Sequence, residues 1–299
     1  LLPIESQISL APFTWWKVGG PAQFFCQPRS LEELEEALVW ADQNAKPYTV
    51  LGGGSNVLIS DQGIEGLVIC TRLLGAVSVD ESADRITVLS EAGASKSEVL
   101  KPFLRAKLAP ALFLCGLPGD MGGGVVMNAG VSEKIVPREF VEFVDWFEVI
   151  RLEKGQPVRK IWKREEVAWH YRHSEGWEPG VISRVQVSWP NTPDPEIPNK
   201  VKQATRNRLA KQPLNLPSCG SVFKNPPGNS SGALIEQAGL KGFRIGDAQV
   251  SEKHANFIVN VGQARASDIL KVIEHVRDTV KTQFSVELKP EVRILGKWN

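Results

Sequence analysis

The chain has 299 residues, 42% of them hydrophobic and 23% charged, with a formal net charge of +1. That length allows two or three compact units. The near-neutral balance offers no global field for nucleic acid or an anionic membrane surface, so any anion site must be local. No apolar run approaches the ~18 residues of a membrane span. The stretch LLPIESQISLAPF lacks a basic region ahead of an apolar one, so neither membrane insertion nor a secretory leader is expected.

Along the chain, SLEELEEALVWADQN sets Ser30 and Glu33 at capping-box spacing, and Leu31, Leu34, Leu38 and Ala41 form one apolar face. A helix is therefore predicted. KPYTVLGGGSNVLISDQGIEGLVIC follows as strand (48–51), glycine loop, strand (57–60), turn and strand (67–70). DRITVLSEAG alternates as a strand should. FVEFVDWFEVIRL is β-branched and aromatic throughout and predicts one long strand. In VISRVQVSW, Val181, Val185, Val187 and Trp189 share a face. PNTPDPEIPNK, with four prolines in eleven residues, predicts a linker. SDILKVIEHVRDTVKTQF predicts an amphipathic helix through Ile269, Val272, Ile273, Val276 and Val280, with Ser267 as its cap. The tail VELKPEVRILG reads as strand, proline, strand. The four cysteines (Cys26, Cys70, Cys115, Cys219) are scattered without a C-x-x-C pair. They are expected as small buried hydrophobes in a reduced setting, with no metal site.

Two glycine loops carry the first chemical signal. LGGGSN, directly after a strand, lacks the Gly-Lys-Ser/Thr ending of a P-loop and the spacing of a dinucleotide fingerprint. It suits either a tight β-turn or a backbone cradle for a diphosphate. GLPGDMGGGVVMNAG is too rich in glycine for a packed element and suits close backbone approach to a flat or phosphorylated ligand. Two such loops suggest one extended cofactor of dinucleotide size. The second signal is CGSVFKNP. The hydroxyl of Ser221 is open between attacking a carbonyl, holding a phosphate, capping a helix and handing over a proton. No Gly-x-Ser-x-Gly elbow surrounds it.

Together KVGGPA, LGGGSNVLISDQGIEGLVI, GLPGDMGGGVVMNAG, YRHS, GSVFKNP, LIEQAGLKGFRIGDAQVSEKHANFIVN and KPEVRILG resemble, in order and over nearly the whole chain, the UDP-N-acetylenolpyruvoylglucosamine reductase (MurB) family. The direct run from YRHS to VISRVQVSW resembles its shorter type II branch. The resemblance implies an α+β fold: an FAD-binding fold of the vanillyl-alcohol-oxidase (PCMH) type in two lobes (1–70 and 71–190), then a C-terminal α+β substrate domain (191–288). The tail 289–299 is expected to pack back on the first lobe.

The same resemblance implies reduction of the enolpyruvyl ether of UDP-N-acetylglucosamine to the lactyl ether, in peptidoglycan synthesis. NADPH is the co-substrate and FAD the cofactor. It matches Ser221 to the proton donor, and Arg172 and Glu291 to the other two catalytic positions. Gly52, Gly53, Gly54, Ser55, Asn56, Gly119, Asp120, Gly123 and Asn128 are implied for FAD, and Tyr171, Lys211, Lys224, Asn225 and His254 for the nucleotide sugar. A cytoplasmic monomer or weak oligomer without nucleic-acid or membrane partners is expected. Two features depart from the pattern. Asp120 stands where Ser or Thr is usual, and FTWWKVGG is rich in tryptophan. Two competing readings remain: another FAD oxidoreductase of the same fold, and a non-catalytic nucleotide-binding protein. Neither has a reason to carry Ser221, Arg172 and Glu291 together.

Overall fold

The computed structural model describes residues 2–131 and 135–298. The chain divides into two compact units, one of residues 1–5, 25–53 and 66–207, the other of residues 6–24, 54–65 and 208–299.

The first unit is built on a five-stranded antiparallel sheet in the spatial order Val77–Glu81, Arg85–Glu91, Val181–Pro190, Val144–Glu153, Gln156–Lys163. Helices Lys96–Arg105, Pro110–Leu114 and Met121–Val126 carry its apolar partners. Phe103, Phe113, Phe140 and Phe143 meet at centroid distances of 5.1 to 6.5 Å, edge-on except for the tilted pair Phe113–Phe140, in geometries that ring quadrupoles favour. The long strand predicted over FVEFVDWFEVIRL starts late. Phe140–Glu142 is a 3-10 turn, and strand begins at Val144. Phe140 is claimed by packing instead: its ring lies where a Cβ on Gly124 would stand, at 2.2 Å. In Val181–Pro190 the expected alternation is interrupted by irregularities after Ile182 and Gln186, so Ile182 and Ser183 are both buried.

The helix Leu31–Gln43 starts as predicted, with the Ser30 side chain accepting from the Glu33 amide. The Glu33 carboxylate returns to the amide of Arg29, one residue earlier than a capping box requires. Within this unit, Tyr48–Leu51 runs parallel to the end of Ile64–Cys70, from Leu67 onward.

The Pro-rich linker is shorter than its composition suggests. Helix Ile197–Lys211 begins inside it, with Pro198 at the second helical position, where a missing N–H costs nothing.

The second unit packs helix Ala266–Phe284 on the antiparallel strands Arg244–Ile245, Ala248–Val250 and Ile258–Asn260. All five predicted apolar helix positions are buried. Ser267 does not cap this helix but lies inside it. The Asp61 carboxylate accepts from the amides of Ala266 and Ser267, both at 2.9 Å, putting a full charge at the positive end of the helix. The tail strand Arg293–Leu295 pairs in parallel with Val57–Ile59. Trp16 is fully buried here; its indole N–H donates to the Ile258 carbonyl at 2.7 Å, and its own carbonyl accepts from Asn260. This half of the tryptophan-rich stretch is core, while Trp15 is exposed. Cys26, Cys70 and Cys219 are buried, Cys115 partly so, and all four are free thiols. Among the described residues no helix is long and apolar enough to cross a membrane, and no cluster of metal-ligating side chains exists.

Candidate active site

In the first unit the two glycine loops meet at Asp120. Strand Tyr48–Leu51 delivers Gly52 and Gly53; Gly119 delivers Asp120, which caps helix Met121–Val126. The Asp120 carboxylate accepts from the Gly53 amide with one oxygen and from the Gly123 amide, at 2.7 Å, with the other. At Gly52 a Cβ would stand 2.2 Å from the carboxylate, so any side chain there would have to displace Asp120. Arg72 donates to the Gly53 carbonyl at 2.8 Å and fixes the loop from its other side. Behind Asp120 lies Lys96, 4% exposed, whose ammonium donates to the Pro118 carbonyl at 2.6 Å. Burial brings its pKa down to about 8, opposed by the favourable charge of Asp120.

These loops fit a diphosphate. They hold converging backbone N–H groups, one on exposed Gly123, beside buried cationic charge. The density of glycine has a second cause as well. Gly122 and Gly124 face Ala92 and Phe140 at distances that leave no room for a side chain.

A second group in this unit carries Arg172. Hairpin Ala168–His170 and His173–Glu175 turns through Tyr171 and Arg172, with His170 opposite His173. Arg172 has φ +60°, a left-handed conformation that usually selects glycine or asparagine. Its guanidinium stacks on the exposed Tyr171 ring at 4.7 Å and lies over Gly130, where a Cβ would come within 2.7 Å of a guanidinium nitrogen. Asn128 ties this turn down. Its amide donates to the His170 carbonyl at 3.0 Å and to Glu139 at 3.1 Å, while its oxygen accepts from the Val141 amide at 3.1 Å. The polar atoms of Asn128, grouped with the cofactor residues from sequence, are thus engaged by its own chain. His170 and His173 share the Glu175 carboxylate at the base of the turn.

In the second unit, backbone pairing runs the segment that carries Ser221 alongside the segment that carries Glu291. The Glu291 amide donates to the Val222 carbonyl at 2.7 Å, and the Lys224 amide donates to that of Lys289 at 2.9 Å. Asn56 belongs to the same group: its side chain donates to the Glu291 carbonyl at 3.2 Å, and its own carbonyl accepts from Arg293. Cys219 is buried beneath, its thiol pushed well above the ordinary range by burial and then by the Glu291 charge.

Sequence reasoning singled out no role for Asn256, yet it holds this segment. Its side chain accepts from the Phe223 amide at 3.0 Å and donates to the Phe223 carbonyl at 2.9 Å, as a neighbouring strand would. Its position within the quoted HANF was the only signal.

Of the residues expected at the nucleotide sugar, Lys224 gives its carbonyl to the Ser231 hydroxyl, and Asn225 accepts from the Ser231 amide. Lys211 is exposed at the last position of its helix. His254 is half-buried: burial pushes its pKa down, and its Nδ1 accepts from the Asn256 amide at 3.2 Å. Ser55 is half-buried beside Gly54, in the second unit. Arg172 belongs to the first unit, Ser221 and Glu291 to the second.

Comparison with known proteins adds an independent line. Residues 212–295 match the family model of the C-terminal domain of UDP-N-acetylenolpyruvoylglucosamine reductase. Residues 22–159 match that of an FAD binding domain. The UDP-N-acetylenolpyruvoylglucosamine reductase of Acaryochloris marina is 39% identical over 298 residues, covering 99% of this chain and 94% of that protein. That of Clostridium beijerinckii is 41% identical over 298 residues, covering 98% and 94%. Among solved structures, the reductase of Thermus caldophilus superimposes with a TM-score of 0.81 at 32% identity, over 99% of this chain and 100% of the other. The α+β architecture expected from sequence, an FAD-binding fold followed by a C-terminal domain, is the fold of this chain.

Proposed function

The chain belongs to the UDP-N-acetylenolpyruvoylglucosamine reductase family, and from that premise we propose how its side chains divide the reaction. It is an FAD-binding oxidoreductase of peptidoglycan synthesis. We infer NADPH as the co-substrate and a cytoplasmic setting, as a monomer or weak oligomer. FAD, when bound, supplies the two-electron hydride carrier between NADPH and the enolpyruvyl ether.

Hydride addition at the β-carbon of the enolpyruvyl group leaves an electron pair on the α-carbon, shared with its carboxylate. A proton must then reach the α-carbon. Ser221 is the proposed donor: its O–H bond breaks, a C–H bond forms, and the alkoxide recovers a proton from solvent. A positioned donor of this kind typically contributes about 10²–10⁴-fold. Arg172 supplies a fixed planar charge for the substrate carboxylate as it gains enolate character, and its fork matches two carboxylate oxygens. Glu291 is assigned a hydrogen bond that orients these groups. Lys211, Lys224, Asn225 and Tyr171 are assigned to the nucleotide sugar, the lysines as mobile charges for its diphosphate. His254 is assigned there too, as a neutral imidazole.

The observation that supports this reading best is the backbone pairing of Glu291 with Val222, which runs the segment of Glu291 alongside the segment that carries Ser221. Stopped-flow separation of the two half-reactions tests it. Ser221→Ala is expected to keep FAD and its reduction by NADPH while losing most enolpyruvyl reduction. Arg172→Ala is expected to lose about 3–4 kcal/mol in the second half-reaction, the scale of a removed oxyanion donor. A second half-reaction at wild-type speed in either variant removes the role assigned to that residue.

A further inference from the structure

Asp120 presents a physical conflict. The Gly53 and Gly123 amides, one from each glycine loop, are both taken by the same carboxylate of the protein itself. Asp120 is 4% exposed, so this is an enclosed contact and not a solvated charge passing by. Its electrostatic surroundings explain how a carboxylate is tolerated there. Lys96 is buried behind it and Arg72 holds Gly53. A carboxylate accepting two backbone N–H bonds beside a buried cation imitates a bound phosphate.

We propose that Asp120 is a built-in anion that staples the two glycine loops together and competes with the diphosphate of FAD for the same backbone donors. The consequence is a trade. The carboxylate holds the two loops together, and it must leave the Gly53 and Gly123 amides for the diphosphate to take them. Lys96, buried and held on the Pro118 carbonyl, is a nearby positive charge that either anion would draw on. The residue at position 120 therefore sets how tightly FAD is held. A hydroxyl there caps the helix without bringing a competing charge.

The proposal rests on reading these loops as the place of the FAD diphosphate. The full-length protein, freed of flavin, is titrated with FAD and separately with riboflavin, which has no phosphate, by flavin fluorescence. Its thermal unfolding is measured without ligand. Asp120→Ser keeps a capping oxygen, and Asp120→Asn keeps the size and one acceptor.

Both are expected to bind FAD at least about tenfold more tightly than wild type. Tenfold corresponds to about 1.4 kcal/mol, near the lower end for a charge-assisted hydrogen bond. Riboflavin affinity is expected to stay within about twofold, and the unliganded Asp120→Ser protein to melt at a lower temperature. A residue with a purely structural role would lower ligand-free stability and FAD affinity together; opposite signs are the signature of competition.

Gly123→Glu, on an exposed position, separates the premise from the proposal. If it abolishes FAD binding while Asp120→Ser leaves FAD affinity unchanged or weaker, or tightens riboflavin equally, competition by Asp120 is refuted with the loops still holding the diphosphate. If Gly123→Glu leaves FAD affinity intact, the diphosphate lies elsewhere and the proposal falls with its premise.

Discussion

Removing the side chain of Asn256 is the sharpest test of how the serine segment is held. Asn256 is 4% exposed and Phe223 2%. Its amide makes two bonds to the Phe223 backbone, at 3.0 and 2.9 Å, while its own backbone accepts from Val222 at 2.9 Å and donates to His254. Asn256→Ala leaves the two backbone bonds of residue 256 in place but strands the Phe223 N–H and C=O. Each buried, unpaired group costs about 1–3 kcal/mol, so the pair predicts a loss of about 2–6 kcal/mol on folding. Urea unfolding followed by tryptophan fluorescence measures it. Ser221 lies two residues before Phe223, so enolpyruvyl reduction is expected to slow while FAD affinity holds. A stability change below about 0.5 kcal/mol, the range of ordinary surface substitutions, would refute the reasoning. Water would then reach Phe223, and the clasp would be incidental.

Asn128→Ala removes three hydrogen bonds beneath the Tyr171–Arg172 turn. The second half-reaction is expected to fall with little change in FAD affinity; weakened FAD affinity with that half-reaction unchanged at saturating FAD would mark Asn128 as a cofactor contact instead. Lys96→Met gives a pH-dependent comparison. The folded-state pKa of Lys96, about 8, lies below the 10.5 of an unburied lysine. The folded state therefore gives up this proton first, and the penalty of burying the charge is full below about pH 8. Wild-type stability relative to Lys96→Met should rise from there towards pH 10.5, by about 3 kcal/mol in total. A difference between the two proteins that stays flat from pH 7 to 10 would show that Lys96 does not titrate in this range.

Local patterns in the sequence were enough wherever short-range physics decides. Ser30 caps its helix because the spacing to Glu33 is set by helix geometry alone. The five apolar positions of Ala266–Phe284 are buried because a 3.6-residue period leaves one face to hide. The motifs carrying Ser221, Arg172 and the glycine loops were legible because close backbone approach and rare residue combinations leave marks in any short window.

What escaped was decided by partners distant along the chain. Asp61 took the cap that Ser267 was expected to make, from 205 residues away, because a carboxylate suits a helix N-terminus better than a hydroxyl. Phe140 left its predicted strand to fill the space that glycine opens at position 124. Asn256 is one polar residue among many in sequence; burial beside an irregular backbone is what makes its amide a substitute strand. Asp120 was visible as an oddity, but a sequence does not say where a carboxylate points. Only the folded backbone brings the Gly53 and Gly123 amides to it, because hydrogen bonds between loops depend on tertiary placement, which no local period encodes.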